Sequence, residues 1–161
     1  MARRSRADIA QEKTKKTNVW QIAIYIRLSK EDMRSVDESE SVSNQRKLIE
    51  DYIRGFDDGD EYVIVGEYVD DGISGTTDEE RERFQDMLSD IQRGRINCVI
   101  VKDLARSFRN YGDQGYYLDD WFPRHNVRFI SMFHQTLDSY KDPRNMRSLA
   151  VPIQGVMNEQ H

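Results

Sequence analysis

Several common ingredients are scarce or missing in this chain. It has one cysteine, Cys98, and three histidines among 161 residues. No disulfide can therefore close within it, and no cysteine/histidine zinc cluster can be assembled. No stretch approaches the ~18 consecutive apolar residues of a membrane-spanning helix, and no signal-peptide pattern opens the sequence. No internal repeat is visible. Hydrophobic residues make up 37% against 33% charged, enough for one core in one domain. The expectation is a soluble, intracellular, one-domain protein without a membrane partner.

The formal net charge of −5 argues superficially against a nucleic-acid partner, but the charge is unevenly spread. Arg3, Arg4, Arg6, Lys13, Lys15 and Lys16 face only Asp8 and Glu12 in the first sixteen residues, leaving that tail at +4 and the remainder at −9. The tail lacks apolar periodicity, and residues 1–18 read as a basic, flexible arm. Glu31 to Ser41 is acidic and reads as an exposed, mobile loop.

What remains alternates between strand and helix patterns. Val19 to Arg27 is β-branched and aromatic, with Ile22, Ile24 and Ile26 alternating against Ala23, Tyr25 and Arg27, as in a buried strand. Val42 to Ile53 carries apolar residues at helical spacing, and Gly55 and Gly59 punctuate its end. Tyr62 to Val69 reads as a second strand. Thr77-Asp78-Glu79-Glu80 has the form of a capping box, followed by Phe84, Met87, Leu88 and Ile91 on one helical face, with Gly94 as the stop. Ile96 to Val101 is an apolar run broken only by Asn97, as in a central parallel strand. Tyr111 to Phe122 predicts a helix ended by Pro123, and Val127 to Phe133 a fourth strand. Pro152 opens a last helix. The class is α/β, with a mainly parallel central sheet flanked by helices.

Ligands of open α/β sheets collect beyond the carboxyl ends of the strands. The first strand ends Tyr25-Ile26-Arg27-Leu28-Ser29, with Tyr25 and Arg27 on one face by the two-residue period. The second ends in Asp70-Asp71-Gly72-Ile73-Ser74-Gly75. The third runs into Lys102-Asp103-Leu104-Ala105-Arg106-Ser107-Phe108-Arg109, where a helical path puts Arg106 and Arg109 on one face. One hydroxyl among several guanidiniums suits phosphoryl transfer, since preorganised cations stabilise charge gathering on phosphate oxygens. No histidine lies in these segments, so a serine–histidine–aspartate triad is unsupported, and activation of the weak serine nucleophile falls to the arginines or a carboxylate such as Asp71.

Taken singly, each residue has a plainer use. Ser29 is a turn residue or helix cap, and Tyr25 a core aromatic with its hydroxyl at the rim. Arg106 and Arg109 form a solvated helix face paired with Asp103 or Asp113. Asp70 and Asp71 are turn acids, or ligands for magnesium. Only the joint pattern changes the odds.

That ordered set, Tyr-Ile-Arg-Leu-Ser at 25–29, Gln45, Asp71-Gly-Ile-Ser-Gly75, Arg81 and Leu104-Ala-Arg-Ser-Phe-Arg109, resembles the catalytic domain of the serine site-specific recombinases, the resolvase/invertase family. The resemblance spans about residues 20–160 and implies a resolvase-like fold. It implies that Ser29 is the nucleophile forming a 5′-phosphoserine link to cleaved DNA. Arg27, Arg106 and Arg109 would surround the scissile phosphate, and Tyr25, Gln45, Asp71, Ser74 and Arg81 would complete the site. It implies no cofactor, neither metal nor ATP, in keeping with the absence of a GxxxxGK[ST] loop. The implied partners are double-stranded recombination sites and further copies of the protein, as dimer and tetramer in the full-length form. The implied setting is the bacterial cytoplasm and nucleoid.

Two departures stand out. Ala105 occupies the position where the family commonly has aspartate, with Asp103 two residues earlier. The segment between Ser29 and Gln45 is longer than in small resolvases. With Leu137-Asp138-Ser139-Tyr140 and Asn158-Glu159, it resembles the large serine recombinases of transposons. The expected layout is the arm at 1–18, a catalytic domain at 19–150, and at 151–161 the start of a long C-terminal helix, truncated in a fragment of a longer protein. That fragment lacks the cysteine-rich zinc module of the large enzymes. Phosphate contacts in missing domains would then explain the acidic balance. Two other readings compete: a metal-dependent nuclease or phosphatase using Asp70, Asp71 and Asp103, and a noncatalytic, flavodoxin-like interaction module.

Overall fold

The computed structural model describes residues 16–28, 38–71, 81–108, 110–133 and 136–144, with backbone alone at Glu38, Ser39, Asp71, Ala105 and Arg106. The arm up to residue 15, the capping box at 77–80 and the expected helix from Pro152 lie outside the described residues. So do Ser29, Ser74 and Arg109.

Five strands form one sheet in the order β2-β1-β3-β4-β5: β1 (Val19–Leu28), β2 (Glu61–Asp71), β3 (Cys98–Val101), β4 (Arg128–Ser131) and β5 (Leu137–Asp138). All pairings are parallel except that of β4 with β5. The two-residue β5 is too short to leave a periodic signal and was not anticipated. The α/β class with a mainly parallel central sheet expected from the sequence is the class observed.

The alternation in β1 sorts its side chains between two cores. Trp20, Ile22, Ile24, Ile26 and Leu28 face α1 (Glu38–Arg54), which contributes Val42 and Ile49. Ala23 and Tyr25 face α2 (Glu82–Gln92), with Phe84, Met87, Leu88 and Ile91. Ile22, Ile24 and Ile26 are almost completely buried, each worth ~1.5–3 kcal/mol of transfer free energy. Gly94, at φ 77°, ends the α2 region in the left-handed conformation that glycine adopts without strain.

Two boundaries differ from expectation. α1 begins at Glu38, so residues 38–41 are helical rather than part of a mobile loop; Glu40 suits the positive end of a helix dipole. Pro123 does not end the later helix. A single turn, α3 (Leu104–Ser107), is followed by α4 (Tyr111–Tyr116), a π turn at Tyr117–Trp121, and α5 (Phe122–Arg124). Pro123 is the second residue after the π turn, in the first turn of the next helical segment, where a missing N–H is tolerated. Asn126, at φ 55°, turns the chain towards β4. No helix among the described residues is long and apolar enough to cross a membrane.

β2 contains a bulge with a consequence for the site. Ile22 pairs with Ile64 but Ala23 with Gly66, leaving Val65 as an extra residue. Ahead of the bulge, Tyr62 packs on the α1 side; beyond it, Tyr68 packs on the α2 side. The extra residue reverses the alternation, which brings Asp70 to the same face as Tyr25. Gly66 permits this geometry, since a Cβ there would lie 2.9 Å from the Tyr68 ring.

Candidate active site

The strand order places the topological switch between β1 and β3: the chain leaves β1 towards β2 on one side and returns to β3 on the other. Ligand sites of such sheets lie at this crevice, beyond the strand ends. Here the end of β1 meets α3. Arg27, half-buried, donates from Nη1 to the Phe108 carbonyl at 3.4 Å. The strand end that precedes Ser29 and the segment that carries Arg106 are therefore joined.

Behind this junction lies a closed polar group. Tyr25, 2% exposed, donates its hydroxyl to Asp70 Oδ2 at 2.9 Å. Asp70 also accepts the backbone N–H groups of Arg83 and Phe84, each at 3.0 Å. One carboxylate thus satisfies the start of α2 and the Tyr25 hydroxyl together. Burial, countered in part by Arg81 and reinforced by Asp70, pushes the Tyr25 phenol well above its ordinary pKa. It stays protonated at neutral pH and serves as a hydrogen-bond donor rather than a base.

Arg81 completes the group. Its Nη1 donates to Asp113 Oδ2 at 2.9 Å, and its Nη2 to the Ser107 carbonyl at 3.0 Å and the Tyr25 hydroxyl at 3.5 Å. The guanidinium lies 4.0 Å from the Phe84 ring centroid, a cation–π contact in a desolvated setting. Burial works against its charge, but Tyr25 and Asp113 outweigh it and raise its pKa above the ordinary value. Asp113 is held by Asn110, the N-cap of α4, whose Oδ1 accepts from Asp113 N at 2.8 Å. Ser107 in turn donates its hydroxyl to the Asp103 carbonyl at 2.6 Å, tightening the single turn of α3.

The structure thus brings Tyr25 and Arg81 together, with Arg27 against the same segment. Asp71 pairs with Leu28 in the β1–β2 register, and Arg106 lies in α3. Gln45 is half-buried on α1, which packs on the opposite face of the sheet from Arg81. Two participants were not foreseen. Asp70 was read as a turn acid or magnesium ligand, and only the β2 bulge turns it inward. The sequence offers Asp113 as a surface partner of Arg106 or Arg109; among the described side chains it pairs with buried Arg81. Its place in the first turn after Asn110 was the available signal. Among the described residues no three His, Cys, Asp or Glu side chains gather as a metal site. The Asp70 carboxylate is taken up by three protein donors.

Comparison with known proteins agrees with this geometry. A family model described as the resolvase N-terminal domain matches residues 22–161. The N-terminal catalytic domain of TP901-1 integrase is similar at 27% identity over 86% of this chain and 94% of that one, with a TM-score of 0.59. A resolvase-family site-specific recombinase from Streptococcus pneumoniae shares 28% identity over 88% and 89%, with a TM-score of 0.64. The C-terminal catalytic domain of ISC1926 TnpA, an IS607-like serine recombinase, shares the fold at 18% identity over 86% and 97%, with a TM-score of 0.53. No curated protein sequence matches the chain.

Proposed function

The chain belongs to the resolvase family of serine recombinases, and on that premise we propose that it cleaves and rejoins double-stranded DNA through a 5′-phosphoserine intermediate on Ser29. The Ser29 Oγ attacks the scissile phosphorus and loses its proton. The bond from phosphorus to the deoxyribose 3′ oxygen breaks, and that oxygen leaves as a 3′ hydroxyl after taking up a proton. One phosphoester replaces another, so the reverse attack by a 3′ hydroxyl reseals the strand with no energy source. This chemistry asks for neither metal nor ATP. Arg27, Arg106 and Arg109 supply the positive charge that both directions need on the non-bridging oxygens, and Arg106 serves the leaving oxygen or the transition state. Asp71, Ser74 and Gln45 complete the site. Exchange of strands takes place between subunits that assemble as dimers and then tetramers on DNA.

The observation that carries this reading is the Arg27–Phe108 hydrogen bond. It joins the strand end adjoining Ser29 to the segment bearing Arg106 and Arg109, two motifs some eighty residues apart (|i−j| = 81). The test is Ser29→Ala in the full-length protein, measured for strand cleavage and for binding to its recombination site. Cleavage is lost while binding is nearly intact, because the hydroxyl serves chemistry rather than affinity. Loss of both together, or retained cleavage, contradicts the proposal.

A further inference from the structure

Arg81 combines two properties that fit poorly in a phosphate ligand. Its side chain is 7% exposed, and both terminal nitrogens already donate to protein acceptors: Asp113, the Ser107 carbonyl and the Tyr25 hydroxyl. The Phe84 ring covers its guanidinium at 4.0 Å. Only the buried Nε is without a hydrogen-bond partner; a phosphate oxygen would have to enter a closed compartment to reach it, or displace one of the partners of the terminal nitrogens.

What Arg81 holds is more informative. The successive carbonyls of Ser107 and Phe108 are each gripped by an arginine, the first by Arg81 at 3.0 Å and the second by Arg27 at 3.4 Å. Those peptides lie between Arg106 and Arg109. Asp113 fixes the other end of the grip, and the Asn110 cap fixes Asp113. We infer that Arg81 and Asp113 are positioning residues, a buried brace that sets where the backbone of α3 carries Arg106, and that neither touches DNA.

The inference rests on the recombination reading for its substrate, but makes a claim that reading does not contain. Removing the Asp113 charge leaves Arg81 buried without its carboxylate, an arrangement that a buried guanidinium relieves by moving. The Ser107 carbonyl loses its partner with it. A displacement of ~1 Å at a reacting group costs ~100-fold in rate, whereas ground-state affinity, spread over many phosphate contacts, is little affected.

The test uses full-length protein carrying Asp113→Asn, Asp113→Glu, Arg81→Gln, or Asp113→Asn with Arg81→Gln, with folding followed by thermal melting. Cleavage rate at saturating DNA, half-saturating DNA concentration and the salt dependence of binding are measured for each. The expected result is a ~30–100-fold slower cleavage for Asp113→Asn, with half-saturation within about twofold and an unchanged salt slope. Asp113→Glu recovers part of the rate, and the double variant is no slower than Arg81→Gln alone. Should Asp113→Asn fail to fold, Asp113→Glu carries the same comparison.

A direct phosphate role for Arg81 predicts instead that Arg81→Gln weakens binding and lowers the salt slope by ~0.9. That result, multiplying effects in the double variant, or a folded Asp113 variant of wild-type rate overturns the brace. Wild-type protein run alongside separates the two claims. If it yields no covalent DNA adduct at Ser29, the recombination reading falls and the brace with it; if it does, a contrary variant result removes the brace alone.

Discussion

Arg81 and Asp113 stand thirty-two positions apart and meet in a 2.9 Å ion pair, with side chains 7% and 14% exposed. The pair ties the start of α2 to the first turn of α4, across the segment that follows β3. Burying two charges is costly unless geometry and further hydrogen bonds compensate. Here the Ser107 carbonyl, the Tyr25 hydroxyl and the Phe84 ring share the arginine. An arrangement of that kind at a sheet's switch point is well suited to holding a site's backbone in place.

A second buried pair, at the opposite end of the sheet, predicts a large effect on stability alone. Arg128 donates to both oxygens of Asp138, at 2.9 and 2.6 Å, within a ring of Trp20, Phe56, Tyr62 and Tyr140. Asp138→Ala leaves that cation unpaired in the core, and denaturant unfolding is expected to show a loss of ~3–5 kcal/mol. A change below ~1 kcal/mol would mean that water reaches Arg128 and screens it.

Alkaline pH should destabilise the fold in a defined window. Burial, with hydrogen bonding to Asp58 and Asp90 respectively, pushes Tyr62 and Tyr68 up to about 12 from the ordinary 10.0. A raised folded pKa means the native state holds the proton more tightly. The stabilisation is therefore complete below pH 10 and lost as pH rises to about 12. The melting temperature is expected to fall across that interval, and Tyr68→Phe to make the fall shallower. An unchanged melting temperature from pH 9 to 12 contradicts this.

Cys98 offers a simple probe of the core. It is completely buried in β3, and burial raises its thiol to about 12. The thiolate is the reacting species, so a disulfide reagent in excess should modify Cys98 at the rate at which the sheet opens. Its rate should then track denaturant concentration together with global unfolding. Immediate stoichiometric labelling of native protein would show that β3 is exposed.

The sequence revealed the frame more readily than the polar residues inside it. The alternation from Ile22 to Arg27 and the apolar run at 96–101 both become strands, the second over Cys98–Val101. Tyr25 and Arg27 share a face because β1 is regular throughout. Asp70 could not be oriented in that way. Its side depends on the bulge at Val65, and a one-residue slip reverses every side chain beyond it. Gly66 was the visible trace of that irregularity. Arg128 is the one charged residue of strand β4. Its burial depends on Asp138, ten positions later in a strand of two residues. Asp113 was legible as a carboxylate near the motif arginines, but its partner was settled by packing around Phe84. Periodicity sorts apolar faces well; it does not report which buried charges will meet.

The most direct measurement of the central claim is a covalent trap. Full-length protein is incubated with a nicked suicide DNA substrate, from which the cleaved strand cannot be resealed, and the attached peptide is identified by mass spectrometry. The account predicts one adduct, a phosphodiester from Ser29 to the 5′ end of the broken strand, formed equally well in a metal chelator. An adduct on another residue, or cleavage that leaves no adduct and requires a divalent metal, would contradict it.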